Sequence, residues 1–110
     1  MKKCKIIIVK RTINKELIAK YFNPDFCRDF GLCELFSEGD EFLVDDPNII
    51  PPGFCAWAWH DIHRELVTLM SGGNLDWMKK DGTAITCCTD GFRPVIFKLE
   101  RTEEEAELGE

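Results

Sequence analysis

Between Pro51 and Gly73 the polar and apolar residues follow a helical period. Cys55, Trp59, Ile62, Leu66 and Leu69 fall at steps of four, three, four and three, which places them along one stripe. His60, Asp61, Arg64, Glu65 and Thr68 occupy the other side. Pro51, Pro52 and Gly53 cannot lie in a helix interior, and Gly72-Gly73 is a strong stop, so the stretch predicts one bounded amphipathic helix. A helix this apolar on one face needs a sheet or other helices to cover it.

The remaining pattern predicts strands around that helix. Residues 4–10, Cys-Lys-Ile-Ile-Ile-Val-Lys, are β-branched and apolar on both faces and predict a central strand buried on two sides. Asn14 can cap a short helix from Lys15 to about Phe22, with Leu17, Ile18, Tyr21 and Phe22 inward, and Pro24 ends it. An aromatic-rich loop over residues 23–36 carries Cys27 and Cys33. Turn chemistry at Ser37-Glu38-Gly39-Asp40 precedes a short strand, Glu41–Val44. Three prolines stiffen the connection from Asp45 to Gly53. Beyond the long helix, Lys80-Asp81-Gly82 is a turn and Thr83–Cys88 a strand. Thr89-Asp90-Gly91-Phe92 predicts a tight hairpin whose Asp-Gly pair takes positive φ. The return strand, Arg93–Arg101, alternates Val95, Phe97 and Leu99 against Ile96, Lys98 and Glu100. The order β-α-loop-β-α-β-β predicts an α+β fold: an antiparallel or mixed sheet of about four strands, one central helix across a face, and a shorter N-terminal helix.

Composition narrows the class. With 110 residues and 45% hydrophobic content the chain is one domain, able to bury roughly 65% of its unfolded surface. No apolar run approaches the roughly 18 residues of a transmembrane helix, and the basic start followed by four apolar residues is too short for a signal peptide. Both observations predict a cytoplasmic protein with no membrane partner. The net charge of −6 is local: five of the glutamates lie in residues 102–110, and residues 1–101 carry −1. The expected organisation is a globular domain over 1–101 and a solvated acidic tail over 102–110. Lys2, Lys3, Lys5, Lys10 and Arg11 form a basic cluster, but the chain lacks an interleaved aromatic platform and a basic total, so nucleic acid is not an expected partner.

Four motifs carry a resemblance. They are Gly31-Leu-Cys-x-x-Phe-x-x-Gly-Asp-x-Phe, Pro51-x-Gly-Phe-Cys-x-x-Ala-Trp-x-Asp-Ile, Met70-Ser-Gly-Gly and Cys87-Cys-Thr-Asp-Gly-x-Arg-Pro-Val-Ile-Phe-Lys, and the resemblance covers nearly residues 1–101. With them the chain resembles a family of small uncharacterised prokaryotic proteins, common in anaerobic bacteria and archaea, that has no established activity. The resemblance places emphasis on Cys33, Cys55, Trp59, Asp61, Cys88, Asp90 and Arg93. The chain departs from the family's pattern at His60 and His63.

Six cysteines in 110 residues set the candidate chemistry. Without a secretory signal they are expected as reduced thiols, several of them buried as small hydrophobes. Adjacent Cys87 and Cys88 point to opposite faces of a strand and cannot bond to each other. Cys27, Cys33, Cys55 and Cys88 are the candidate ligands of a zinc ion or iron–sulfur cluster, although no Cys-x-x-Cys pair supplies a chelating unit. A second candidate is a small-molecule pocket. Trp57, Trp59 and Phe54 would be its apolar walls, and Trp57, Trp59, Asp90 and Arg93 its ligand-binding residues. In an enzyme built on that pocket the catalytic candidates are Cys55, Asp61, Asp90 and Arg93. Cys55 and His60 are five apart and do not face each other on a helix, so they form no catalytic pair. A third arrangement is an interaction module or homodimer joined through the hairpin edge or the aromatic loop. The mixture of Cys with Gly, Asp and Arg places the expected pocket where the 27–33 loop, the start of the long helix and the 88–93 hairpin converge.

Overall fold

Ile6, Ile7, Ile8 and Val9 each carry a branched Cβ that crowds a helix and suits a pleated strand, and they lie in β1, Lys2–Arg11. The computed structural model describes residues 1–27 and 30–108, so Arg28 and Asp29 of the aromatic loop and Glu110 of the acidic run lie outside the described residues. After β1 come α1 (Lys15–Tyr21), β2 (Glu41–Val44), α2 (Ala56–Met70), β3 (Thr83–Cys87) and β4 (Val95–Glu105). The strands form one antiparallel sheet in the order β2-β1-β4-β3. The fold is α+β, with α2 laid across one face.

β1 is central, but only one of its faces is fully buried. Cys4, Ile6 and Ile8 face α2, whereas Lys5 and Ile7 are half-buried on a face that no helix covers. Two-sided burial was expected from the unbroken apolar run; the structure covers one side because the chain has a single long helix to place there. The core is closed by Val44 from β2, Ala84 from β3, and Val95, Phe97 and Leu99 from β4. Against them α2 sets Ala58, Trp59, Ile62, Leu66, Leu69 and Met70. Each large apolar side chain in this core contributes roughly 1.5–3 kcal/mol on leaving water, so the α2 stripe and the sheet face beneath it hold the fold together. Burial pushes the Cys4 thiol up to about 11, which keeps it protonated and inert.

α1 departs from its expected role. It buries no residue, and Leu17 and Tyr21 are exposed. Asn14 makes no side-chain cap; its Nδ2 donates to the Gly91 carbonyl at 2.7 Å instead. That bond, with Thr12 N–H to Pro94 (3.0 Å) and Asn14 N–H to Phe92 (2.7 Å), clamps the β3–β4 connection against the exit of β1. The pairing of β1 with β4 shifts register between Ile8 and Lys10, which lets the chain bend toward this connection.

The β3–β4 connection is not a tight hairpin with left-handed Asp-Gly. Among the described residues none other than glycine has positive φ, and Gly91 is not among the glycines that do. Asp90 builds the turn through its side chain, as described below. Gly82, at φ 78°, takes the left-handed conformation and accepts the Arg101 N–H at 2.7 Å, so the Lys80–Gly82 turn supplies the reversal that opens β3.

β4 runs past residue 101 into the acidic run. β4 continues to Glu105, Lys2 pairs with Glu105, and Ala106 N–H donates to Met1 at 2.8 Å. Two glutamates of the acidic run lie beside the lysines of the N-terminal strand, with Lys2 Nζ 2.6 Å from Glu105 and Lys3 Nζ 3.8 Å from Glu104. The hydrogen bond from Lys2 lowers the Glu105 pKa, and the same bond raises that of Lys2.

Candidate functional site

Three segments meet at the end of the sheet where β1 leaves and β4 begins, and they enclose a cavity of about 510 Å³. The segment between α1 and β2 contributes Phe22, Phe30, Cys33, Leu35 and Phe36. The start of α2 contributes Cys55, Trp57 and Ala58, and the β3–β4 connection contributes Cys88 through Arg93, with Val95 behind it.

The β3–β4 wall is held by side-chain hydrogen bonds. Asp90 Oδ1 accepts the N–H groups of Phe92 (3.0 Å) and Arg93 (3.2 Å), closing the turn, while its Oδ2 accepts Arg93 Nε at 3.3 Å. One turn into α2, Asp61 Oδ2 accepts the Thr89 N–H at 2.8 Å, and the Thr89 hydroxyl lies 3.0 and 3.1 Å from its two oxygens. The same hydroxyl accepts the indole N–H of Trp57 at 2.9 Å. Thr89 therefore joins the helix to the loop: it donates to Asp61 and accepts from Trp57. The amide hydrogen bond from Cys88 to Val95 (3.2 Å) and the Val95 N–H directed at Cys88 Sγ (3.3 Å) fix the sulfur beside the cavity.

The opposite wall is aromatic. Phe22 and Phe30 stack with centroids 4.2 Å apart, and Phe92 meets Phe22 edge-on at 5.4 Å. The Arg93 guanidinium lies over Phe30 at 4.4 Å. Arg11 anchors this loop by donating to the Cys33 carbonyl (3.2 Å) and to Glu38 (2.9 Å). The Glu38 carboxyl is held below its ordinary range by its own backbone N–H and by Arg11.

Cys33, Cys55, Cys88, Trp57, Asp90 and Arg93 thus line one cavity. Other candidates lie elsewhere. Trp59 and Phe54 are core residues, packed on each other at 6.1 Å, and neither lines the cavity. The helical stripe that includes Trp59 explains this: it faces the sheet, while Trp57 is turned toward the loop. Asp61 does not line the cavity; it positions Thr89. Cys27 is exposed and outside the cavity. Among the described residues no three His, Cys, Asp or Glu side chains are grouped so that they could hold one metal ion, so Cys27, Cys33, Cys55 and Cys88 do not assemble into a ligand set. All six cysteines are free thiols. His60 is exposed, and His63 places Nε2 2.6 Å from the Pro47 carbonyl with its ring against Trp59, a packing role.

Sequence reasoning missed Phe22, Phe30, Phe92 and Thr89 as site residues. The aromatic density of the loop was visible, but nothing local showed that it would fold over the Asp90 turn. Thr89 carried no signal beyond its place beside Asp90.

The molecule is an α+β domain in which a four-stranded antiparallel sheet and one long helix carry an aromatic and thiol-lined cavity. No family model, curated protein or solved structure compared with the chain matches it.

Proposed function

We propose that this domain binds a small organic molecule in the cavity between the aromatic loop, the start of α2 and the β3–β4 connection. The observation that carries the reading is the convergence of three separated segments on an apolar cavity of about 510 Å³ edged by a few polar groups. That volume lies within the roughly 300–1,000 Å³ of small-ligand sites. Core packing supplies no reason for it: the sheet is already covered by α2, and Asp61, Thr89 and Asp90 spend their hydrogen bonds on holding the wall open beside Trp57 and Cys88. The thiols of Cys33, Cys55 and Cys88 give the lining a soft, polarisable character suited to an aromatic ligand.

The test uses 1-aminoanthracene, an uncharged fluorescent aromatic. Wild-type protein is expected to bind it saturably at one site with a blue-shifted emission. Leu35→Arg, which places a charge on an exposed lining residue, is expected to weaken binding by at least about tenfold while leaving the fold intact. Absence of saturable binding, or equal binding by the variant, contradicts the reading.

A further inference from the structure

We infer that the ligand of this cavity is an anion: a small aromatic molecule carrying a carboxylate or similar planar acidic group, received by Arg93. The inference rests on the small-molecule reading above and follows from counting which polar groups of the lining are already used.

Asp90 is largely used: Oδ1 serves the Phe92 and Arg93 amides, Oδ2 serves Arg93 Nε, and its charge is paired with the guanidinium, so one lone pair on Oδ2 is left. The indole N–H of Trp57 is spent on Thr89, and the Thr89 hydroxyl is spent on Asp61. Arg93 differs. Its Nε is bound to Asp90, while its two Nη nitrogens, with four N–H groups, make no hydrogen bond to any described residue.

The unspent donors are also fixed in space. Asp90 holds one edge of the guanidinium, and Phe30 lies against its face at 4.4 Å. A planar group pinned at one edge and one face presents its remaining edge in a constant direction, the geometry that binds a carboxylate through two parallel hydrogen bonds. The Arg93 side chain is 31% exposed, so this edge is reachable from solvent and still partly shielded from it. Around it Phe22, Phe30, Phe92 and Trp57 offer ring faces and edges to an aromatic body. Four unspent N–H donors against one remaining carboxylate lone pair, beside an aromatic box, favour an anionic aromatic over its neutral or cationic counterparts.

The experiment titrates 2-naphthoate and its neutral counterpart 2-naphthamide into the wild-type protein by calorimetry, with Arg93→Gln and Arg93→Lys in parallel. The account expects wild-type protein to bind naphthoate at least about tenfold more tightly than naphthamide. In Arg93→Gln the ratio of the two affinities is expected to fall to about one, and in Arg93→Lys part of the preference returns. Equal or weaker binding of naphthoate by wild-type protein overturns the inference and leaves the cavity reading standing. So does a naphthoate preference that survives in Arg93→Gln. Binding of neither compound overturns both. The wild-type comparison decides the matter even where a variant does not fold.

Discussion

Thr89 shows how one small side chain organises the site. Its hydroxyl and amide both engage Asp61, and its oxygen receives Trp57, so a helix residue holds a loop through a single pivot. Hydrogen bonds to a charged group are worth about 1.5–3 kcal/mol each, and partial exposure brings these toward the lower end. Asp61→Ala is therefore expected to cost about 1–2 kcal/mol in urea unfolding and to weaken 1-aminoanthracene binding. Asp61→Asn, which keeps one acceptor, is expected to lose less. Unchanged unfolding and binding in Asp61→Ala would remove the pivot from the account.

Cys4 offers a prediction in pH. Its thiol is raised from 9.0 to about 11 by burial, so between those values the folded state keeps a proton that the unfolded state gives up. Stability from this group is complete below pH 9 and is lost as pH rises through about 11, a loss of about 2–3 kcal/mol. Unfolding free energies of wild-type protein, from urea titrations across this window, are expected to fall by that much more than those of Cys4→Ala. Parallel decline in the two proteins would contradict it.

Among the elements, α2, β2 and the alternation along β4 were legible in the sequence because periodicity reports burial directly. The bounds of α2 are set by Cys55 and Ser71, inside the Pro-Gly and Gly-Gly punctuation that announces them. α1 was legible as a helix but not as an exposed one, since a stripe of Leu17, Ile18 and Tyr21 reads the same whether or not anything covers it. The Asp90-Gly91 turn was misread because a local dipeptide cannot show that the carboxylate will bond forward to Phe92 and Arg93. The end of β4 was misread for an electrostatic reason. A run of glutamates looks like a solvated tail until the lysines of β1 are found beside it. Removing residues 102–110 is therefore expected to lower stability by about 1–2 kcal/mol, through lost ladder hydrogen bonds to β1, whereas removing 108–110 leaves it unchanged. Equal urea midpoints for the two truncations would restore the tail to a solvated end.

At the scale of the molecule, the two ends of the sheet are built differently. One end ties the termini together through Lys2, Lys3, Glu104 and Glu105; the other gathers the aromatic loop, the three thiols and Arg93 around the cavity. The candidate site was legible as a meeting of motifs, because Cys33, Cys55, Cys88, Asp90 and Arg93 all stand in Gly- or Pro-punctuated segments where loops and helix starts fall. The division of labour was not legible. It depends on which hydrogen bonds are already made, and that separates Asp61 and Asp90, which hold the wall, from Arg93, which has donors to spare.

The most direct test of the central claim is amide and indole chemical-shift mapping by NMR as 2-naphthoate is added to the wild-type protein. The account predicts saturable shifts at Cys33, Cys55, Thr89, Arg93 and the Trp57 indole N–H, with Lys2, Ile85 and Glu105 unmoved. Shifts confined to other surfaces, or none that saturate, would contradict it.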